Sequence, residues 1–228
     1  MAELEYHRSL VRAAHDETPL LRRLWLELPP AVLASHTAAG QYVQLRTGAS
    51  TGPLALCAAP GLPPELLVKR AGALGEAVAA LEAGTTLELT TARGPGFPLA
   101  ASRGRDLLLF ATGSGIGPIR AALQLVAAQR DAYGAVTLFH GVRSREEFAY
   151  RAELDALEAR GLRLHRVVSR PLHPADEPAG RLQQRFEQVR PELANAVAML
   201  CGQPEMTVEL TALLEAAGLP AERIHLNY

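Results

Sequence analysis

The sequence predicts two domains: an N-terminal antiparallel β-barrel over residues 1–102 and an α/β domain with a parallel sheet over residues 103–228. Two patterns along the chain predict this division. The first hundred residues contain about six short apolar or alternating segments separated by turns, as in a small barrel. From Arg105 onward, apolar segments alternate with segments of helical periodicity, which is typical of a parallel sheet covered by helices. A chain of 228 residues is long enough for both domains to bury a core.

Turn signals bound the expected barrel strands. Leucines at positions 24, 26 and 28 alternate with more polar neighbours, and Pro29-Pro30 ends that strand. A stretch rich in glycine and proline at 94–104 is interpreted as the connection to the second domain. The expected strands span residues 6–14, 20–28, 40–46, 54–58, 66–70 and 86–91, with one helix at 73–81.

Short apolar segments in the second domain predict buried parallel strands. The expected strands are at 107–111, 135–142, 162–168, 197–201 and 224–227, and the expected helices at 119–129, 146–159, 181–188 and 204–217. The loop at 171–180 (PLHPADEPAG) is the one segment that we expect to be mobile.

Composition excludes several classes of function. The net charge is −1 and the basic residues are scattered, so nucleic acid is not an expected partner. The two cysteines, Cys57 and Cys201, are too few for a disulfide framework or a four-thiolate cluster, and no metal-ligand spacing is found. No apolar segment has the length of a membrane span or the pattern of a signal peptide, so we expect a cytoplasmic protein. Hydrolysis has no support, because no Ser/His/Asp arrangement or carboxylate pair stands out.

A glycine-rich loop between a predicted strand and helix is the main candidate for a binding site. The apolar run at 107–111 is followed by Thr112-Gly113-Ser114-Gly115-Ile116-Gly117, and Pro118 suits the first turn of a helix. Such a corner presents backbone N–H groups and the positive end of the helix dipole to an anion, typically a dinucleotide pyrophosphate. The full G-x-G-x-x-G spacing is absent because Arg120 occupies the last slot. A tight turn without a ligand is the alternative.

Three further loops follow strands at the same expected edge of the sheet, where open parallel sheets bind ligands. They contain Arg143, Ser169-Arg170 and the segment 201–206 (CGQPEM). Guanidinium and hydroxyl groups suit a phosphate, although a lone exposed arginine commonly serves only solubility. Cys201 alone is interpreted as a small core residue, and His140 as a buried, hydrogen-bonded side chain. The final Tyr228 is either frayed or available to stack on a flat ring.

Together these motifs resemble the ferredoxin–NADP(+) reductase superfamily, which pairs a flavin-binding β-barrel with an α/β domain that binds a nicotinamide dinucleotide. The resemblance runs from about Leu10 to the C-terminus and rests on ATGSGIGPIR, HGVRSREEFAY, VVSRP, CGQPEM and the terminal LNY. It implies that the dinucleotide contacts Thr112, Gly113, Ser114, Gly115, Ile116, Gly117, Pro118, Arg143, Ser169, Arg170, Arg181, Gly202, Gln203, Pro204 and Met206. It also implies that Cys201 and Tyr228 lie at the hydride junction, with Tyr228 covering the flavin ring.

The flavin half departs from the superfamily pattern. The Arg-x-Tyr-Ser motif falls at Gly52-Pro53-Leu54-Ala55, where arginine, tyrosine and serine are all missing, and Glu76 falls in the phosphate loop. The chain is similar in this respect to an atypical reductase-like branch, including plant plastid proteins, that also lacks the motif. The residues expected to hold FAD are Leu54, Ala55, Leu56, Val68, Lys69, Gly72, Gly75 and Ala77.

The resemblance implies an NAD(P)H-dependent flavin oxidoreductase of ferredoxin reductase type. Hydride would pass from NADP(H) or NAD(H) to FAD, and electrons would pass on to a separate acceptor protein or small molecule. Ser169 and Arg170 favour NADPH, and Arg181 is a further candidate partner for its 2′-phosphate. The alternative is a flavin-free regulatory or complex-assembly subunit that binds a dinucleotide and catalyses nothing.

Overall fold

The computed structural model describes residues 4–172 and 178–227. Its strands are β1 (His7–Thr18), β2 (Leu21–Glu27), β3 (Tyr42–Thr47), β4 (Ser50–Ala55), β5 (Glu65–Lys69), β6 (Thr86–Leu89), β7 (Asp106–Thr112), β8 (Val136–Val142), β9 (Arg163–Val168), β10 (Ala196–Cys201) and β11 (Ile224–Asn227). Its α-helices are α1 (Pro30–Ser35), α2 (Gly72–Ala79), α3 (Ile116–Ala128), α4 (Arg151–Glu158), α5 (Leu182–Val189) and α6 (Pro204–Ala216). The predicted fold class is confirmed.

The first six strands form an antiparallel sheet in the order β4-β3-β6-β1-β2-β5. Alternating side chains of these strands fill one apolar core, which includes the fully buried Leu24, Leu45 and Leu66. Pro53 is accommodated because β4 lies at the end of this order, where a missing N–H costs no ladder hydrogen bond.

The other five strands form a parallel sheet in the order β11-β10-β7-β8-β9, and their carboxyl ends are level. Cys201 pairs with Ala111 on one side and Asn227 on the other, and Val142 pairs with Val168. The helices cover both faces, and β8 is buried along its whole length. The loops that follow these strands therefore share one edge of the sheet.

The observed elements differ from the predicted ones mainly at their ends. β1 continues to Thr18 because it pairs with β2 along its length, and β4 begins at Ser50 because its pairing with β3 starts there. Helix α1 was not predicted; Pro30 occupies its first turn, so the proline pair that ends β2 also starts a helix.

An apolar cluster spans the two domains. Leu21, Cys57 and Leu67 of the barrel belong to the same buried cluster as Ile116 and Ile119 of α3. Within residues 4–172 and 178–227, no helix combines the length and apolar character needed to cross a bilayer. Half of the loop expected to be mobile, residues 173–177, lies outside the described residues.

Candidate functional site

The glycine loop forms the N-terminal end of α3. Residues Gly113–Gly115 make a 3-10 turn that continues directly into α3, and the first turn carries no acidic side chain. Gly113 has φ +53°, and a Cβ at this position would meet no atom within 4 Å. The half-buried Thr112 and Ser114 flank it. This end of the helix therefore offers unobstructed backbone N–H groups and a positive dipole to an anion.

The other glycines of the loop are required by close packing. A Cβ on Gly115 would lie 2.3 Å from the carbonyl oxygen of Cys201, and a Cβ on Gly117 would lie 2.3 Å from Cys57 Sγ. A Cβ on Gly202 would lie 2.1 Å from Thr112 Oγ1, which accepts the N–H of Gln203. The loops after β7 and β10 are thus pressed together, and the barrel lies against the start of α3.

Burial separates the nucleotide-binding candidates into two groups. Ile116, Gly117, Pro118 and Met206 are buried, and the side chains of Ile116, Pro118 and Met206 pack beneath the loops. Gln203 and Pro204 are exposed at the start of α6. Contact with a dinucleotide at this edge would therefore come from the backbone and from the more exposed members of the set.

Cys201 is a buried, neutral thiol at the end of β10. Its exposure is 9%, and burial raises its pKa to about 12. Asn227, beside it on β11, donates from Nδ2 to Sγ at 4.0 Å. Near neutral pH the thiol is protonated, so it can shape a site for a flat ring but cannot act as a thiolate nucleophile.

Two arginines and a serine meet at the ends of β8 and β9. The N–H of Ser169 donates to the carbonyl of Val142 at 2.9 Å, and the N–H of Arg170 donates to the carbonyl of Arg143 at 2.8 Å. Both arginines are exposed, and among the described residues neither guanidinium has an ion-pair or hydrogen-bond partner. Their charge is therefore available to a phosphate.

Arg181 lies at the same edge but has a carboxylate nearby. The preceding Gly180 donates its N–H to the carbonyl of Val168 at 3.0 Å, which brings this segment beside the end of β9. Arg181 Nη1 is 4.0 Å from Glu209 Oε2, and both side chains are exposed. A phosphate at Arg181 would compete with Glu209.

On the barrel side, the N-terminal end of α2 repeats the features of the glycine loop. Gly72 has φ +69°, and a Cβ there would meet no atom within 4 Å. The first turn of α2 contains no acidic residue, and no side chain caps its N–H groups. Glu76, expected to repel phosphates, is exposed and lies beyond that turn. The backbone here fits the pyrophosphate of FAD.

Strand β4 lacks the arginine, tyrosine and serine that the resemblance places there. A Cβ on Gly52 would lie 2.8 Å from Leu74 Cδ2, so a leucine methyl packs at the position where the resemblance implies an arginine. Leu54 packs against the barrel core, while Leu56 and Val68 are fully inside that core. Ala55, Lys69, Gly75 and Ala77 are half-buried. FAD would therefore be held chiefly by the backbone donors of α2.

Two features of the site region were not found from the sequence. His140 is completely buried, and neither ring nitrogen has a hydrogen-bond partner in the described part of the chain, so the expectation of hydrogen bonding was wrong. Arg120, noted only for breaking the glycine motif, crosses to the barrel and donates to the carbonyl of Cys57 at 3.0 Å.

The described residues contain no group of three His, Cys, Asp or Glu side chains suited to a metal ion. Tyr228 lies outside the described residues.

Residues 109–211 match a family model described as the oxidoreductase NAD-binding domain. A solved ferredoxin NADP+ reductase from Neisseria gonorrhoeae with bound FAD and NADP superposes with a TM-score of 0.86. That match covers 98% of each chain at 22% identity and includes both domains. The chain therefore has the two-domain fold of this ferredoxin NADP+ reductase.

Two relatives share more of their sequence with this chain. Sulfhydrogenase 1 subunit gamma of Pyrococcus furiosus is 30% identical over 193 residues, which are 81% of this chain. The chain spans 65% of the length of that relative. The fruit protein pKIWI502 of Actinidia deliciosa is 26% identical, with 87% of this chain and 68% of the fruit protein covered.

Proposed function

We propose that the chain is a flavin reductase that takes hydride from NAD(P)H and passes electrons to a separate acceptor. The observation that carries the proposal is a pair of matching helix N-termini, one in each domain. Gly72 at α2 and Gly113 at α3 both have positive φ, open space beside Cα and no acidic residue in the following turn. Each of these helix N-termini can bind the pyrophosphate of one dinucleotide, so the two adjoining domains together suit two dinucleotides.

On the α/β side, the chain's own groups bind and orient the nicotinamide dinucleotide. The N–H groups at the start of α3 would hold the pyrophosphate, and Arg143, Ser169 and Arg170 would hold the adenosine end. The neutral Cys201 and the adjacent Gly202 would bound the nicotinamide and keep water from it. These groups supply placement, which is the main contribution of the protein in hydride transfer.

On the barrel side, the N–H groups of Gly72, Ala73 and Leu74 would hold the flavin pyrophosphate, with Leu54 and Ala55 nearest the ring. When bound, FAD supplies a hydride acceptor that can return electrons one or two at a time. The likeness to a subunit of a sulfhydrogenase supports an acceptor that is another protein of the same assembly.

One observation favours the second candidate, a dinucleotide-binding subunit without flavin. Leu74 packs on Gly52, so apolar contact replaces the guanidinium that would neutralise the flavin phosphates. FAD titration followed by flavin fluorescence separates the two functions. We expect saturable FAD binding and bleaching of the bound flavin by NADPH or NADH without oxygen. Protein that binds NADP(H) but takes up no FAD would contradict the reductase and support the second candidate.

Arg170→Ala is expected to weaken NADPH binding by about 10- to 100-fold, because a charge-assisted hydrogen bond is worth about 1.5–3 kcal/mol. The affinity for NADH should change little, since NADH lacks the 2′-phosphate. Isothermal titration with both nucleotides measures the two effects. The matched control is Arg163→Ala, an exposed arginine at the opposite end of β9, which should alter neither affinity. Equal losses for both nucleotides at Arg170 would refute its role at the 2′-phosphate.

A further inference from the structure

A buried network of ionic and aromatic side chains crosses the boundary between the two domains. Its members, which we call the interdomain cluster, are Glu17, Arg23 and Glu65 of the barrel and Arg120, Tyr150 and Glu153 of the α/β domain. None of these residues belongs to the nucleotide or flavin candidates described above. The cluster lies beside the apolar contact of Cys57 with Gly117.

Glu65 is the centre of the cluster and is only 2% exposed. Its Oε1 accepts from Arg23 Nε at 3.1 Å and from the Tyr150 hydroxyl at 2.5 Å. Its Oε2 accepts from Arg23 Nη2 at 2.8 Å and from Arg120 Nη1 at 3.3 Å. The carboxylate therefore accepts two hydrogen bonds from each domain: both bonds of Arg23 come from the barrel, and those of Arg120 and Tyr150 come from the α/β domain.

Arg120 ties the nucleotide-binding helix to the barrel. It lies on α3 one turn after the glycine loop, is 7% exposed, and donates from Nη1 to the carbonyl of Cys57, two residues beyond β4. Its Nε donates to Glu153 Oε2 at 2.6 Å. A single guanidinium therefore contacts α3's own domain, the barrel backbone and the central carboxylate.

Tyr150 is held in a strained conformation by the same contacts. Its backbone is left-handed, with φ 56° and ψ 30°, which is unfavourable for a residue with a bulky side chain. Its N–H donates to Glu17 Oε1 at 2.6 Å, and its ring lies 4.4 Å from the guanidinium of Arg120 and 4.8 Å from that of Arg23. Burial raises its pKa far above the ordinary value, so the hydroxyl remains a donor.

We propose that the interdomain cluster is a positioning device that fixes α3 and its glycine loop at a set distance from the end of β4. Buried ion pairs give little net stability but specify one geometry, because a shift of either domain leaves charges unpaired. Apolar contacts such as that of Cys57 with Gly117 persist when the domains slide past each other. The hydrogen bonds of Glu65 to Arg23, Arg120 and Tyr150 form together in only one relative position of the two domains. The functional consequence rests on the proposed function: the device would set the spacing between the nicotinamide and flavin seats.

Two probes report separately on the two domains. Trp25, the single tryptophan, lies in the barrel with the Arg23 guanidinium 4.6 Å from its ring. Circular dichroism at 222 nm reports mainly the second domain, which holds the two 13-residue helices α3 and α6. In the wild type we expect both probes to give the same thermal midpoint. Tyr150→Phe and Glu65→Gln should separate the two midpoints by about 5 °C or more, since the domains then keep mainly their apolar contact and unfold less cooperatively.

Tyr133→Phe is the matched control, because it also removes a buried tyrosine hydroxyl, one that donates at 3.2 Å to the carbonyl of Leu99 in the segment connecting the domains and lies outside the cluster. In Tyr133→Phe the fluorescence and dichroism midpoints should coincide, as in the wild type. Coincident midpoints in Tyr150→Phe would overturn the proposal. If Glu65→Gln fails to fold, Tyr150→Phe alone tests the proposal, because it deletes a single oxygen atom and is therefore expected to fold.

A nucleotide readout distinguishes positioning from stability alone. In the wild type, saturating NADP+ should raise the midpoint measured by Trp25 fluorescence, because nucleotide bound to the second domain also stabilises the barrel coupled to it. In Tyr150→Phe, NADP+ should raise only the midpoint measured by circular dichroism. In flavin reduction, Tyr150→Phe should keep KM for NADPH within about twofold while kcat falls about 10-fold or more. An unchanged kcat with separated midpoints would overturn the positioning role. A wild type that reduces no flavin would refute the proposed function instead, and the unfolding comparison would still decide the coupling.

Discussion

Gly115→Ala is expected to lower the affinity for NADP(H) by roughly 100-fold or more. The added Cβ would lie 2.3 Å from the carbonyl oxygen of Cys201 and 2.9 Å from the nitrogen of Gly202, both backbone atoms that cannot rotate away. The loops after β7 and β10 must therefore separate, which displaces the N–H groups at the start of α3. Hydrogen bonds from such groups to a charged phosphate are worth about 1.5–3 kcal/mol each, so losing one or two produces this decrease.

The matched control for Gly115 is Gly134→Ala. Its Cβ would lie 2.1 Å from Asp106 Oδ1, a side-chain atom that accepts the N–H of Ala135, so the overlap breaks a local contact at the amino ends of the strands. Both variants should lose about 1–3 kcal/mol of stability by overpacking, measured by urea unfolding. Only Gly115→Ala should lose nucleotide binding in a calorimetric titration. Wild-type affinity in Gly115→Ala would show that the loop is not the pyrophosphate seat.

Acidification is expected to destabilise the protein through His140. Burial, assisted by the nearby Arg166, lowers the pKa of this histidine from its ordinary value near 6.5 to about 3. The unfolded chain binds the proton more tightly, so the contribution of neutral His140 is complete above pH 6.5 and is lost progressively as the pH falls toward 3. The full loss is roughly 4–5 kcal/mol at 1.36 kcal/mol per pKa unit, a large part of the stability of an ordinary domain.

His140→Leu tests this directly, because leucine has a similar volume and cannot be protonated. Urea unfolding at pH 7.5, 6, 5 and 4.5 should show a steep decline in unfolding free energy for the wild type and a shallower one for the variant. Some slope should remain, since burial also lowers the pKa of His36, His165 and His225. Equal slopes in the two proteins would exclude His140 as the acid-sensitive group.

Local sequence patterns predicted the fold and the edge of the parallel sheet at which the candidate loops lie because the relevant information is short in range. The apolar run of β7, the small residues at 112–117 and Pro118 specify a strand, a turn and a helix within a dozen residues. The level ends of the parallel strands then bring Arg143, Ser169 and Arg170 to one edge without further information. The start of α3 three residues before its predicted position follows from the 3-10 turn that leads into it.

The contacts between domains could not be predicted in this way. Glu65 looks like a polar residue at the start of a strand, and its partner Tyr150 is 85 positions later. No periodicity relates the two residues, because their contact exists only when both domains have folded and met. The same holds for His140: its polar ring suggested hydrogen bonds, but it packs against the ring of Phe148, and residues 4–172 and 178–227 offer neither of its nitrogens a partner.

The protonated state of Cys201 has a consequence for oxidative stress. Peroxides attack the thiolate and scarcely react with the thiol, and attack also requires access. Cys201 has a pKa of about 12, and burial raises the pKa of Cys57 still further. Under the proposed function, reduced cofactors would leak electrons to dioxygen and produce reactive oxygen species close to the protein. Because both thiols of the protein are buried and protonated, peroxides would convert them only slowly to sulfenic acid, so the packing of Cys57 and Cys201 at the junction between the domains resists oxidation.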